Sequence, residues 1–221
     1  VEGTQDAFLP LWVAAMETGV AVLQPLDNGG IETRWLTRCD LPEPGMRFND
    51  GRCDRQGRFH AGSMVMDMDM GLVRPVGQWF SLIKQTMQPW QAGLITPNGL
   101  AFSPDGRTVY WSDSHPQVQC VWRAQYDTQT GQAHGAEVWI DFAPLPGRPD
   151  GAAVDEDGAY WICGNDGGLV HRFTPDGRLD RSVVLPVKKP AMCAFGGPGM
   201  DTLFVTSIRP GGDLSDQPLA G

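Results

Sequence analysis

Apolar positions along the chain fall in short runs broken by glycine and proline, and the runs repeat. Leu100-Ala101-Phe102 reads as a short strand, Ser103-Pro104-Asp105-Gly106 as a turn, and Thr108 to Ser112 as a β-branched and aromatic strand. Proline presets φ in such a turn and glycine supplies φ > 0. β-branched and aromatic side chains suit a pleated, half-buried surface. Val118 to Tyr126, a turn at Asp127 to Gly131, and Ala136 to Phe142 complete a unit of four strands. The plan recurs from Asp150, with Tyr160 to Cys163, Leu169 to Phe173, a turn at Pro175-Asp176-Gly177, and Arg181 to Leu185. It also precedes, from Asn49 through Gly57-Arg58 to Phe59-His60-Ala61-Gly62. In each unit one polar residue (Asn49, Asn98, Asp150) stands eight positions before a turn glycine, and the three lie 49 and 52 residues apart. Leu11 to Leu36 reads as the later strands of a preceding unit, and Cys193 to Ile208 as the start of a following one. Trp79 to Gln91 is ambiguous, its apolar residues fitting a strand at least as well as a helix.

Four-stranded units at this period predict the blades of a β-propeller, an all-β fold. A β-sandwich is the alternative, but it does not predict so regular a repeat. At 49 to 52 residues per unit, 221 residues supply four to five blades. The expectation is therefore a single propeller domain over residues 1–221 whose ring is incomplete. Its open sheet edges would pair with one another or with a second chain, since closure is what protects them.

Composition sharpens this. The chain has 28 glycines and 18 prolines in 221 residues, well above the roughly 12% of average usage, which suits many tight turns. With 41% hydrophobic and 19% charged residues it is not a disordered chain. A net charge of −9 argues against nucleic-acid binding, which needs clustered Lys and Arg. No apolar run approaches the roughly 18 residues of a membrane span. The first residues carry neither the basic nor the apolar segment of a signal peptide, so the cytoplasm is the expected compartment. A chain beginning at Val1 leaves the periplasm open. The cysteines are odd in number and form no C-x-x-C pair, so they read as small buried hydrophobes. His60, His115, His134 and His171 share no repeat position. His60 and His171 read as strand residues, the other two as loop residues. Asp67-Met68-Asp69-Met70-Gly71 reads as an acidic loop near the channel mouth.

In a propeller the innermost strand of each blade lines a central channel, so residues at one repeat position form a ring. Asn49, Asn98 and Asp150 occupy one such position. Two amide oxygens and a carboxylate converging on a point make a hard-cation site, with calcium foremost and manganese or zinc as alternatives. Asn-Gly and Asp-Gly are also plain turn dipeptides, and only their repetition in phase argues otherwise.

Several of these residues resemble the regucalcin/gluconolactonase (SMP-30) family. The resemblance lies in Arg47-Phe48-Asn49-Asp50-Gly51, Pro97-Asn98-Gly99 through Asp105-Gly106, and Pro149-Asp150-Gly151 through Asp155. Gly167-Gly168 with Val170, and Cys193 to Gly197 with Leu203 to Thr206, extend it. It implies a six-bladed propeller with a divalent metal in the channel, acting mostly as a lactonase on sugar lactones. It marks Asn98 and Asp150 as metal ligands, and Arg47 and Asn49 as substrate-binding residues. An acidic substrate contact follows the Gly62-Ser63-Met64 segment, where Asp67 is the candidate. The family's third ligand is a Glu in an E-G-P-x-W motif. Glu2-Gly3 is the candidate here, although Thr4 follows and less than a blade separates it from Leu11. The implied reaction is metal-assisted lactone hydrolysis with Asp150 as general base. Its rivals are a non-catalytic or truncated metal-binding propeller, and an esterase or phosphotriesterase on the same site.

Overall fold

The computed structural model describes residues 11–66 and 73–221. These form seventeen strands in five antiparallel sheets. The first sheet joins β1 (Trp12–Met16), β2 (Gly19–Pro25) and β3 (Ile31–Arg38). The second joins β4 (Met46–Cys53), β5 (Phe59–Val65), β6 (Gly77–Ile83) and β7 (Thr86–Leu94). The third joins β8 (Pro97–Phe102), β9 (Thr108–Asp113), β10 (Cys120–Asp127) and β11 (Gln132–Asp141). The fourth joins β12 (Arg148–Val154), β13 (Tyr160–Asn165), β14 (Leu169–Phe173) and β15 (Leu179–Val184), and the fifth β16 (Pro190–Gly196) and β17 (Thr202–Ser207). Each of the three complete sheets runs as a meander, which is a propeller blade. The ambiguous stretch is a hairpin of β6 and β7. Its turn residues, Lys84 and Gln85, sit at φ 48 and 63 without a glycine or asparagine to announce them. His134 lies in β11, paired with Gln125, and not in a loop. Among the described residues no helix is long and apolar enough to cross a membrane.

Burial falls from the first strand of a blade to the last. Every residue of β8 is buried and every residue of β15 is exposed. Both faces of a blade pack on neighbouring blades, so its inner strands read as continuous apolar runs. Alternate side chains then serve different interfaces, as the period of two in a strand requires. Leu100 and Phe102 pack toward Trp79 and Trp111, whereas Ala101 packs with Ala152 and Tyr160. Cys163 and Cys193 are buried between the fourth and fifth sheets, as expected of small hydrophobes. Cys53 is exposed and departs from that expectation. The second and third blades are also tied by a buried polar network. Asp54 accepts hydrogen bonds from Arg58 Nη1 (2.6 Å) and Tyr126 Oη (2.7 Å), and His60 bridges Tyr126 and Ser81. Burial pushes the Asp54 carboxyl up, but these partners outweigh it and hold the group well below the usual carboxylate range.

The inner strands β4, β8, β12 and β16 lie side by side. Each carries a register shift within one residue of the same repeat position, between Phe48 and Gly51, Asn98 and Ala101, Pro149 and Ala152, and Pro190 and Met192. The Asn-Gly and Asp-Gly pairs are therefore not turns. They are β-bulges inside strands, and a bulge re-aims the side chain it carries.

A candidate metal and substrate site at one end of the channel

The inner strands run between two cavities. The first, about 390 Å³, is lined by residues before and at the bulges, including Arg47, Asn49, Asp50, Asn98, Arg148 and Asp150. The second, about 180 Å³, is lined by residues after them, including Arg52, Arg55, Phe102 and Val154. Arg52 reaches across from β4 and donates to Ala152 O (2.5 Å) on β12, between the two ends.

The structure brings Asn49, Asn98 and Asp150 to the first cavity through three bulges in three blades. Asn49 Nδ2 donates to Pro97 O (3.1 Å) and to Asn98 Oδ1 (3.0 Å). Arg47 Nη1 donates to Phe48 O (2.8 Å) and to Asn49 Oδ1 (3.0 Å), which fixes the Asn49 amide. Asn98 Nδ2 donates to Ser114 Oγ (2.6 Å), whose own hydroxyl donates to Pro149 O (2.5 Å). Asn165 Nδ2 donates to Asp150 Oδ2 (2.9 Å) and to Pro190 O (3.1 Å). In each case a side chain of one blade holds the carbonyl that precedes the bulge of the next. The ring is thus locked from blade to blade at the level of the site.

Ser114 and Asn165 are functional neighbours that the motifs did not mark. They lie 16 and 15 residues after Asn98 and Asp150, at corresponding ends of β9 and β13, so the repeat could have found them. Asp50 is another. It takes the place that Gly99 and Gly151 hold in the other bulges, and it is buried. Its carboxylate accepts from Gly51 N (2.7 Å) and Leu100 N (3.1 Å). Glu2 and Asp67, with the whole Asp67-to-Gly71 segment, lie outside the described residues.

Two carboxylates in one buried place are costly. Burial pushes the Asp50 carboxyl up, against the amide hydrogen bonds and Arg52. Burial, then the charge of Asp50, push Asp150 to about 7, against the hydrogen bond from Asn165. A cation at this point would relieve both costs. The available donors are all oxygens: the Asp150 carboxylate, the second lone pair of Asn98 Oδ1, and the Asn49 amide oxygen. That set suits a hard cation such as calcium better than zinc, which favours nitrogen and sulfur. Among the described residues no three His, Cys, Asp or Glu side chains cluster.

Residues 4–209 match the family model described as SMP-30/gluconolactonase/LRE-like region. A 6-deoxy-6-sulfogluconolactonase of Pseudomonas putida is 41% identical over 215 residues, covering 95% of this chain and 70% of that protein. Regucalcin of Xenopus laevis is 34% identical over 182 residues, covering 80% of this chain and 60% of that protein. The crystal structure of a calcium-binding protein, regucalcin, from Agrobacterium tumefaciens superposes with a TM-score of 0.84 at 29% identity. It covers 96% of this chain and 70% of its own. The chain thus spans between six and seven tenths of the length of these relatives.

Proposed function

Because the chain belongs to the SMP-30/gluconolactonase/LRE-like family, we propose that it is a lactonase that opens sugar lactones at the cavity holding Asn49, Asn98 and Asp150. The observation that carries this reading is the convergence of these three residues, by one bulge per blade, on a cavity rimmed by Arg47. A named relative acts on a sulfogluconolactone, and another solved relative is described as calcium-binding. Both descriptions fit an oxygen-lined site that takes a sugar lactone.

Asn98 and Asp150 would hold the divalent cation, with Asn49 beside them. When bound, the cation would supply Lewis acidity toward a carbonyl oxygen and a nearby water. The remaining chemistry belongs to the side chains. Asn165 holds Oδ2 of Asp150 and so fixes the carboxylate, which takes the proton from the attacking water as general base. Arg47 spends Nη1 on Phe48 O and Asn49 Oδ1. Arg47 lines the cavity, and its other N–H groups are left to bind sugar hydroxyls or the charge that develops on the lactone oxygen. Ser114 sets the Asn98 amide so that Oδ1, which keeps a second lone pair beside the bond from Asn49 Nδ2, would serve the cation and Nδ2 would not.

Titration calorimetry tests the cation part directly. One calcium per chain is expected, with affinity falling at least about tenfold in Asn98→Ala. Calcium binding without turnover of any lactone would return the protein to the non-catalytic reading.

A further inference from the structure

The four bulges put the inner strands in one register, and that register extends one step toward the mouth. The residue two places before the bulge residue lies on the same side of its strand, about 7 Å nearer the strand's start. This position holds Arg47 in β4, Thr96 before β8, Arg148 in β12 and Lys189 before β16. Three of the four are cationic in a chain whose net charge is −9. Arg47, Thr96 and Arg148 line the first cavity together. Arg148 therefore stands to Asp150 as Arg47 stands to Asn49, on another blade of the same channel.

The acids of that cavity, among the described residues, are Asp50 and Asp150, and a divalent cation would offset their charge. One further carboxylate reaches the outer ring. Asp166 Oδ2 accepts from Arg148 Nε (2.9 Å) and Nη2 (2.8 Å), and Oδ1 accepts from Lys189 Nζ. One negative charge shared by two cations leaves a positive excess. It also orients the Arg148 guanidinium, whose Nη1 donates to no protein group among the described residues. The Arg148 side chain is 34% exposed, so it is open to a ligand.

We propose that Arg148 is a specificity-determining residue that selects lactones carrying a negatively charged group away from the ring carbonyl. A carboxylate, a phosphate or a sulfonate on the far end of the sugar shares the required chemistry, anionic oxygens that accept from the Arg148 Nη1 group left over by Asp166 and Asn165. Lys189 adds to the field on the same side, and Arg47 receives the reacting end. The assignment rests on the lactonase reading for its kinetic test but not for its binding test.

The kinetic test compares kcat/KM for gluconolactone, which is neutral, with that for glucarolactone, which adds a carboxylate, and phosphogluconolactone, which adds a phosphate. The protein should favour one or both charged lactones by about tenfold or more at low salt, and the preference should shrink as salt screens it. Arg148→Gln should lower the charged-to-neutral ratio at least about tenfold, and Arg148→Lys should keep part of it, because it retains charge but not the guanidinium that Asp166 orients. The two charged lactones also tell carboxylate from phosphate recognition. Equal rates on charged and neutral lactones, or a drop in both by the same factor in Arg148→Gln, would overturn the assignment. The binding test uses calorimetry with phosphogluconate and gluconate. Arg148→Gln should weaken the first far more than the second, and equal weakening would overturn the assignment even in a protein that turns over no lactone. No turnover with a selective loss of phosphogluconate binding would instead sink the lactonase reading and keep the anion seat.

Discussion

Asp150→Asn is expected to lower lactone hydrolysis at least about a hundredfold, the contribution typical of a positioned general base, in a protein that remains folded. The amide keeps the size of the carboxyl and can still accept from Asn165 Nδ2, now at 2.9 Å from Oδ2. What it lacks is charge and basicity. In the cation-free protein burial, then Asp50, push the Asp150 carboxyl to about 7, whereas in the unfolded chain it releases its proton near 4, at about 3.9. Between those values the folded state binds a proton that the unfolded state does not. Stability therefore falls as pH rises through this window and levels off above it. Asp150→Asn should shrink that fall, leaving the part contributed by buried Asp50. Urea denaturation of chelator-treated protein at pH values of about 5 and about 8 reads this difference. A variant that is inactive but also markedly less stable than the parent at the higher pH would make Asp150 a packing residue, not a catalytic one.

Gly99→Ala should damage both the fold and the site, although it adds only one methyl group. Gly99 sits at φ +65 in the β8 bulge, and a Cβ there would lie 2.6 Å from Tyr160 Oη, 2.7 Å from Ser112 Oγ and 3.1 Å from Asp150 O. Tyr160 and Ser112 are fully buried, and Tyr160 Oη donates to Gly99 O (2.7 Å). The Tyr160 ring is walled in and held by that bond, so β8 must move away from β12 and carry Asn98 away from Asp150. Overpacking of this kind costs about 1–3 kcal/mol, added to about 1–2 kcal/mol for a left-handed non-glycine residue. Gly57→Ala is the control. Gly57 has φ +83 but nothing within 4 Å of the added Cβ, so it should show the backbone cost alone and keep its activity. Equal losses of stability in the two variants would mean that the close approach of the blades at Gly99 is not what requires glycine.

The blades were legible because their signal is redundant. In Leu100 to Ser112 the apolar runs, the Pro-Asp-Gly turn and the aromatic strand all agree, and the repeat states the agreement three times. The β6–β7 hairpin was not legible, because Lys84 and Gln85 adopt left-handed φ values that usually call for Asn or Gly. The convergence of Asn49, Asn98 and Asp150 followed from their phase. Their mechanism did not, since Asn-Gly reads alike as a turn or as a bulge and only strand pairing tells the two apart. Ser114, Asn165 and Arg148 carry no motif of their own. They act through position in a repeat, which a search for motifs passes over.

If this channel end opens lactones with the help of a divalent cation held by Asn98 and Asp150, turnover must follow the cation. The direct measurement is acid release from gluconolactone, followed at constant pH, on protein stripped with a chelator and then reloaded with calcium, manganese or zinc. The expected result is a rate no higher than the spontaneous one in the stripped protein and recovery on reloading, with calcium effective. Full turnover by the stripped, folded protein, or none under any loading, would contradict it.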